Sequence, residues 1–472
     1  MENVAGNENV NTEAAESGKL GFVTKFSYGM GNLGSNLLLA TANAFISFFY
    51  TESVGIAVGT VGVILLIGRI MDGVADILMG IIIDRTKSRY GKARPWLFRL
   101  AIPYALAMVL LFFTPDFGEQ GNVIFALVSY LFAMFIYTGI NVPYNTLMAM
   151  QTQSQKERTS LSAYRSAIGF VGAISVNMCT IPLVNFFGGG STGWLAMGAI
   201  YGVIGCVLYL NVFKQCKEMN TKKMQADAAI NKSNEPTLAQ SFKSLFTNKY
   251  WLMLIALGII GNLNAGLGGV NVYYAQYILG DPSLVGMLGL AIFLPMVIGV
   301  MVSGPLVIKY GKRNTSIIGA LLQLVGCLPM AFNSSQMEFL LAGLFIRGLG
   351  AAPLFIASMA MLCDTVEYGE WKDGIRIEGL NFSAQSFSEK IGSGLGGVAL
   401  GGIMSLGGYV GGQAEQSAEA LFSMKFAFIY GPAILAGIML IILFFYKLDK
   451  LYPQIVEELI ERRGEFSVDA DK

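Results

Sequence analysis

Long apolar runs separated by short polar stretches recur along almost the whole chain. A membrane-spanning helix needs about 20 mostly apolar residues. Twelve runs approach that length, at approximately 24–51, 57–84, 95–114, 121–150, 160–187, 193–214, 250–279, 284–308, 314–332, 336–363, 378–408 and 418–446. The pattern predicts an all-α membrane protein with twelve transmembrane helices. The polar stretches between the runs sort by charge. Arg85, Lys87, Arg89, Lys92 and Arg94 follow the second run, Lys156 and Arg158 the fourth, and Lys309, Lys312 and Arg313 the eighth. Exits of odd-numbered runs, around Glu52, Asp116 with Glu119, Gly188 to Gly190, Asp281, Glu338, and Glu415 with Glu419, carry acids or no charge. Basic loops are retained in the cytoplasm. Both termini are therefore expected there, with the chain in an inner or plasma membrane.

The longest internal polar stretch, 215–249, divides the runs into six-helix halves, 24–214 and 250–446, flanked by tails 1–23 and 447–472. The tails read as solvated charge, and the first lacks the basic start and apolar core of a signal peptide. RYGKAR (Arg89 to Arg94) follows the second run, and KYGKRN (Lys309 to Asn314) follows the eighth, six runs later. Matching loops at matching places imply matching halves. Two pseudo-symmetric six-helix halves with a site between them are the architecture of major facilitator transporters.

Composition narrows the chemistry. Of 472 residues, 54% are hydrophobic and 13% charged, about half the charge of an ordinary soluble domain. The net charge of +1 gives no basic field for nucleic acid, so no nucleic-acid partner is expected. With no histidine, proton chemistry falls to carboxylates, lysine or water. The five cysteines show no CxxC spacing, so neither a disulfide framework nor a thiolate metal site is implied. No nucleophile set, metal set or cofactor loop is visible, so the chain is not expected to be an enzyme or to carry a cofactor.

Charged and polar residues inside the apolar runs are the informative ones. In GRIMDGVADILMGIIID, Arg69, Asp72 and Asp76 fall at i, i+3 and i+7, on one helical face near the middle of a span. An intramembrane carboxylate costs several kcal/mol unless paired or hydrated, and marks an ion path by default. Two carboxylates one turn apart can bind Na⁺ or share a proton. An Arg69–Asp72 salt bridge between helices is the structural alternative. Asp84, beside the basic loop, reads as a helix-end residue pairing with that loop in a structural or gating role. In YTGINVPYNTLMAM, Pro143 removes a backbone donor beside Thr138, Asn141 and Asn145. Asn141 and Asn145 share a face that suits a hydroxyl-rich ligand, or hydrogen bonds between helices at a kink. Asn32, Asn36 and Asn43 form a polar stripe on the first helix. Arg165, on the fifth, can fork onto sugar hydroxyls or pair with an acid. On the eleventh, Gln385, Ser386, Glu389 and Lys390 lie on or near one face, and Lys390 needs Asp72, Asp76 or a substrate acid as counter-ion, unless Glu389 neutralises it.

Four segments in order resemble the glycoside-pentoside-hexuronide:cation symporters, the melibiose-carrier branch of the major facilitator fold. They are KFSYGMGNLGSN, RIMDGVADILMG with DRTKSRYGKARPW, INVPYNTL, and CDTVEYGEWKDGIRIEGLNFSAQSF. The resemblance implies a coupling-cation site at Asp72 and Asp76, with Thr138 as a further oxygen ligand and Lys390 beside it. It implies that Arg165, Gln385 and Ser386 approach the sugar. It also places Asp364, Glu367 and Glu370 in a cytoplasmic gating network with the basic loops, where Arg94 lies. Asn36, Asn141 and Asn145 stand where the melibiose carrier has two sugar-binding carboxylates and a tryptophan. This argues against melibiose and brings the chain closer to the glucuronide and xyloside carriers. Ala75 stands where sodium-coupled relatives have an asparagine, which removes an oxygen ligand and favours H⁺ over Na⁺.

The expected protein is a secondary active transporter that moves a glycoside, pentoside or hexuronide with H⁺ or Na⁺ by alternating access, as a monomer in the lipid bilayer. An uncoupled facilitator or exchanger is the alternative within transport. A membrane sensor or lipid-handling protein on the same fold is the alternative from another class.

Overall fold

The computed structural model describes residues 20–152, 154–218, 238–375, 377 and 379–469. Within these, side-chain placements are not described for residues 84, 155, 156, 238, 239, 241, 379 and 462–469. Most of the N-terminal tail, the middle of the linker and the Asp84 side chain thus lie outside the described set.

Among the described residues the chain is mostly helical and has no strand. In order these helices are α1 (Phe22–Phe48), running into a π-helical turn at Phe49–Ser53, α2 (Val58–Arg85), α3 (Arg94–Leu111), α4 (Gly118–Gln151), α5 (Gln155–Phe186) and α6 (Gly190–Gln215). After the linker come α7 (Leu238–Thr247), α8 (Lys249–Leu267), α9 (Val270–Tyr277), α10 (Val285–Tyr310), α11 (Lys312–Phe332), α12 (Met337–Asp373) and α13 (Gly379–Leu406). The last are α14 (Ala418–Lys425), a second π-helical turn (Phe426–Tyr430), α15 (Gly431–Phe445) and α16 (Leu448–Asp469). Among the described residues, ten helical stretches are long and apolar enough to cross a membrane. α2 and α13 are two further long helices, of 28 residues each, and they carry the charged residues of the candidate site. Ile102, Met301, Ile308 and Phe332 are more than 70% exposed, and a hydrocarbon solvent is what lets such a surface persist.

Helix ends follow local chemistry. Asn248 caps α8 by accepting from Trp251 N–H, and Ser417 caps α14 by accepting from Ala420 N–H. Gly374, at φ 70°, ends α12 in the left-handed conformation and donates its N–H to Glu370 C=O at 2.9 Å. Pro143 does not break α4, which continues from Gly118 to Gln151.

The residues group into two compact units. One comprises 1–49 with 71–232, the other 50–70 with 233–472. Residues 50–70, which lie within the stretch read from sequence as the first half, thus group with the second unit. In the first unit Trp194 packs against Phe45, Phe48 and Phe49 and stacks on Phe112, with centroids 5.6 Å apart. In the second, Tyr250, Trp251, Leu254, Met361, Leu443 and Tyr446 form a buried core. There α8 and α13 meet backbone to backbone. A Cβ on Gly392 would lie 2.4 Å from Ile259 O, one on Gly396 2.4 Å from Leu263 O, and one on Gly266 2.4 Å from Ser393 O. Only glycine permits that approach.

Two segments differ from the sequence expectation. The charged stretch after Met361 continues α12 to Asp373, because Asp364 is paired and Thr365 is buried. The segment read as a solvated C-terminal tail folds as α16. It buries Leu448, Ile455 and Leu459 in the core of the second unit, an apolar stripe interrupted by acids and one lysine.

Candidate functional site: a carboxylate and amide face in the first unit

Asp72 on α2 is 2% exposed and accepts a hydrogen bond from Thr138 Oγ on α4. One turn on, Asp76 is half-buried. Thr138 begins a polar face on α4. Asn141 Nδ2 donates to Tyr137 Oη, and Asn145 Nδ2 donates to Asn141 Oδ1 at 2.8 Å. Tyr137, Asn141 and Asn145 are spaced i, i+4 and i+8, so each asparagine amide donates to the side chain one turn before it. The carboxylate contact and the amide face therefore belong to the same helix.

On α1, Asn32 Nδ2 donates to Arg165 O of α5 at 2.9 Å, and Asn36 Nδ2 donates to Asn32 O and Gly169 O at 3.0 and 3.3 Å. These amides knit α1 to α5 beside the Arg165 side chain. That guanidinium lies over the Tyr144 ring, 5.6 Å from its centroid, a cation–π contact. Tyr144 in turn stacks on Tyr28 at 4.6 Å. Tyr137 and Tyr144 escaped the sequence reading, although each is one residue from a position it singled out.

In the second unit, Gln385, Ser386, Glu389 and Lys390 all lie on α13. Gln385 Nε2 donates to Glu389 Oε1 at 3.3 Å, Ser386 is exposed, and Lys390 is half-buried. Arg69 is 7% exposed, and its Cβ is 3.1 Å from where a Cβ on Gly394 of α13 would sit.

The basic loops carry a repeated clamp. The Glu218 carboxylate accepts the N–H groups of Lys92, Ala93 and Arg94 at 2.8 to 2.9 Å, capping α3, while the Arg94 guanidinium donates to Phe213 O. In the second unit Asp449 accepts Arg313 N–H at 2.7 Å, capping α11, and the Arg313 guanidinium donates to Leu443 O and Phe444 O. Glu218 follows Phe213 by five positions, as Asp449 follows Phe444. This F-x4-[E/D] spacing escaped the sequence reading, although it is the one signal that could have found both caps. Lys312 adds an ion pair to Asp364 at 2.5 Å and lies over the Tyr452 ring at 4.6 Å. Tyr452 donates to Glu367, and Trp371 Nε1 donates to Glu458 at 2.6 Å. Burial and then the Glu367 carboxylate push the Tyr452 hydroxyl well above its ordinary range, so it remains a donor at neutral pH. The side chains of Arg94, Asp364 and Glu367 thus each have defined partners near the loops, whereas at Glu370 it is the backbone C=O that accepts from Gly374 N–H at the end of α12.

The profile of the family described as MFS/sugar transport protein matches residues 27–450. The chain belongs to that family. It is a multi-pass membrane transport protein, and not an enzyme. It is 34% identical over 454 residues to the isoprimeverose transporter of Lactiplantibacillus pentosus, covering 95% of this chain and 93% of that one. It is 30% identical to the putative glycoside/cation symporter YagG of Escherichia coli K12, covering 93% and 95%. Its fold is similar to that of the nucleoside transporter NupG, with a TM-score of 0.66 at 15% identity, over 89% of this chain and 99% of that one. Both the all-α reading and the major facilitator assignment hold.

Proposed function

We propose that this protein is a cation-coupled symporter of a neutral or anionic glycoside, working by alternating access with both termini in the cytoplasm. The observation that carries this is the double use of α4. Thr138 donates to the buried Asp72 carboxylate, and three residues on, Asn141 opens the amide face. A cation that neutralises Asp72 or Asp76 changes what Thr138 faces, and α4 carries that change to Asn141 and Asn145. Asn36 and Arg165 complete the sugar face of the first unit, and on α13 of the second unit Gln385 and Ser386 are the sugar-side candidates and Lys390 the cation-side one. By linkage, sugar and cation each raise the affinity of the other by one common factor. A proton is the favoured coupling ion. It needs a single carboxylate, whereas Na⁺ needs several oxygens, and Ala75 supplies none. The relatives named as an isoprimeverose transporter and a glycoside/cation symporter support a glycoside substrate.

Uptake of isoprimeverose and other glycosides in proteoliposomes, under a proton gradient, a sodium gradient or neither, tests this reading for wild type and Asp76→Asn. Gradient-driven accumulation that disappears in the variant is the expected result. Equal downhill flux in every condition, unaffected by the variant, would make the protein an uncoupled facilitator.

A further inference from the structure

The π-helical turn that ends α1, Phe49–Ser53, places one carboxylate among three donors. Glu52 accepts from Tyr277 Oη at 2.6 Å, from Tyr409 Oη, and from Gly412 N–H at 3.0 Å. Beside it, Thr51 Oγ and Tyr273 Oη are 2.8 Å apart, and the Tyr273 and Tyr277 rings both meet the Tyr409 ring edge-on. A Cβ on Gly411 would lie 2.3 Å from Thr51 O. All these residues fall in the second unit, which takes in 50–70. Behind them the start of α2 lies against α13, where a Cβ on Gly401 would lie 2.6 Å from Val58 O.

Residues 50–70 are continuous in sequence with α1 and with the middle of α2, where Asp72 lies, yet they are bonded to helices of the second half. This cluster is at the helix ends opposite the basic loops, the side that the charge bias assigns to the exterior. Alternating access requires the two halves to part at that side. A π-helical turn at such a place is frequently functional, and here it turns an acid toward three donors. Tyr277 also lines a surface cavity of about 540 Å³ with Gln276, Glu415 and Gln416, so water can replace the tyrosine hydroxyls when they let go.

We propose that Glu52 is an exterior latch. It holds residues 50–70 to Tyr277, Tyr409 and Gly412, and a sugar can enter from outside only after those bonds open. This rests on the alternating-access reading above. Three charge-assisted hydrogen bonds on one carboxylate are strong together, but each is exchangeable with water, which suits a contact made and broken in every cycle.

The test uses a reporter, Val58→Cys, because Val58 is 5% exposed and outside the cluster. Its labelling by a membrane-impermeant maleimide is measured in right-side-out vesicles, with the parent chain as background. Adding Glu52→Ala is expected to speed labelling by about ten-fold or more, the population change produced by losing one charge-assisted hydrogen bond. Tyr277→Phe with Tyr409→Phe should do the same while leaving the carboxylate in place, which keeps the test available if Glu52→Ala does not fold. Unchanged labelling in a folded variant of either kind overturns the latch. The readout needs no substrate. If the symport reading failed, wild type would not accumulate glycoside, yet the labelling shift would remain.

Discussion

The two halves carry the same clamp at their basic loops, but around it they differ. In both, an acid five positions after a phenylalanine caps a helix, and a guanidinium holds the carbonyl of that phenylalanine. Beyond the clamp, α4 carries no acid after Glu119, while its counterpart α12 carries Asp364, Glu367, Glu370 and Asp373. Conversely α2 carries Asp72 and Asp76 within its span, whereas its counterpart α10 contains no acid at all. The two halves share the backbone device, but these two helix pairs carry their acids in different places. In the first half Asp72 and Asp76 lie within α2, beside Thr138 of α4. In the second the acids sit at the loop end of α12, where Asp364 pairs with Lys312 and Glu367 accepts from Tyr452 of α16.

This division can be broken from either side. The largest effect is expected for Asp72→Asn, which keeps the shape but removes the carboxylate that Thr138 donates to. Accumulation against a gradient should fall by about 100-fold or more while exchange of labelled sugar persists, measured in proteoliposomes. Next is Lys312→Ala, which leaves Asp364, itself 2% exposed, without its ion partner. Breaking a buried pair costs about 3 kcal/mol, visible as a large fall in Tm of the purified protein. Lys312→Ala combined with Asp364→Asn should recover much of it. Glu218→Ala removes the acceptor of three N–H groups and should cost about 2 kcal/mol, whereas Asp449→Ala, with one, should cost about 1 kcal/mol. A Tm loss of the same size for both would mean that the two clamps are energetically equivalent.

The helices were legible because a bilayer requires about 20 mostly apolar residues of each crossing helix, although only ten of the described helical stretches are apolar enough to cross by composition alone. Each of the twelve runs read from hydropathy coincides with helix in the structure to within a few residues, except where α12 runs on to Asp373. That exception shows what hydropathy omits. DTVEYGEWKD looks like a loop until Lys312, Tyr452 and Glu458 supply partners from distant positions. α16 was hidden for the same reason, since Leu448, Ile455 and Leu459 are too few to register among charges. At the candidate site, Asp72, Asp76, Asn141 and Arg165 stood out because polar groups in apolar runs are conspicuous. Tyr137 and Tyr144 did not, because tyrosine is unremarkable in a membrane helix until its hydroxyl is seen to have a partner. Glu52 was visible only as an acidic loop, and its three donors come from more than 220 positions away.

The contact of α8 with α13 has a mechanical meaning. Where two helices touch through glycines and carbonyls, and here also through Gln385 and Ser388 against Gly258, little slack remains for one helix to tilt without the other. The pair behaves as a single strut. A displacement of α13 at Gln385, which lies against Gly258 of α8, is therefore passed on to α8, and a small movement at one point becomes leverage on the whole beam.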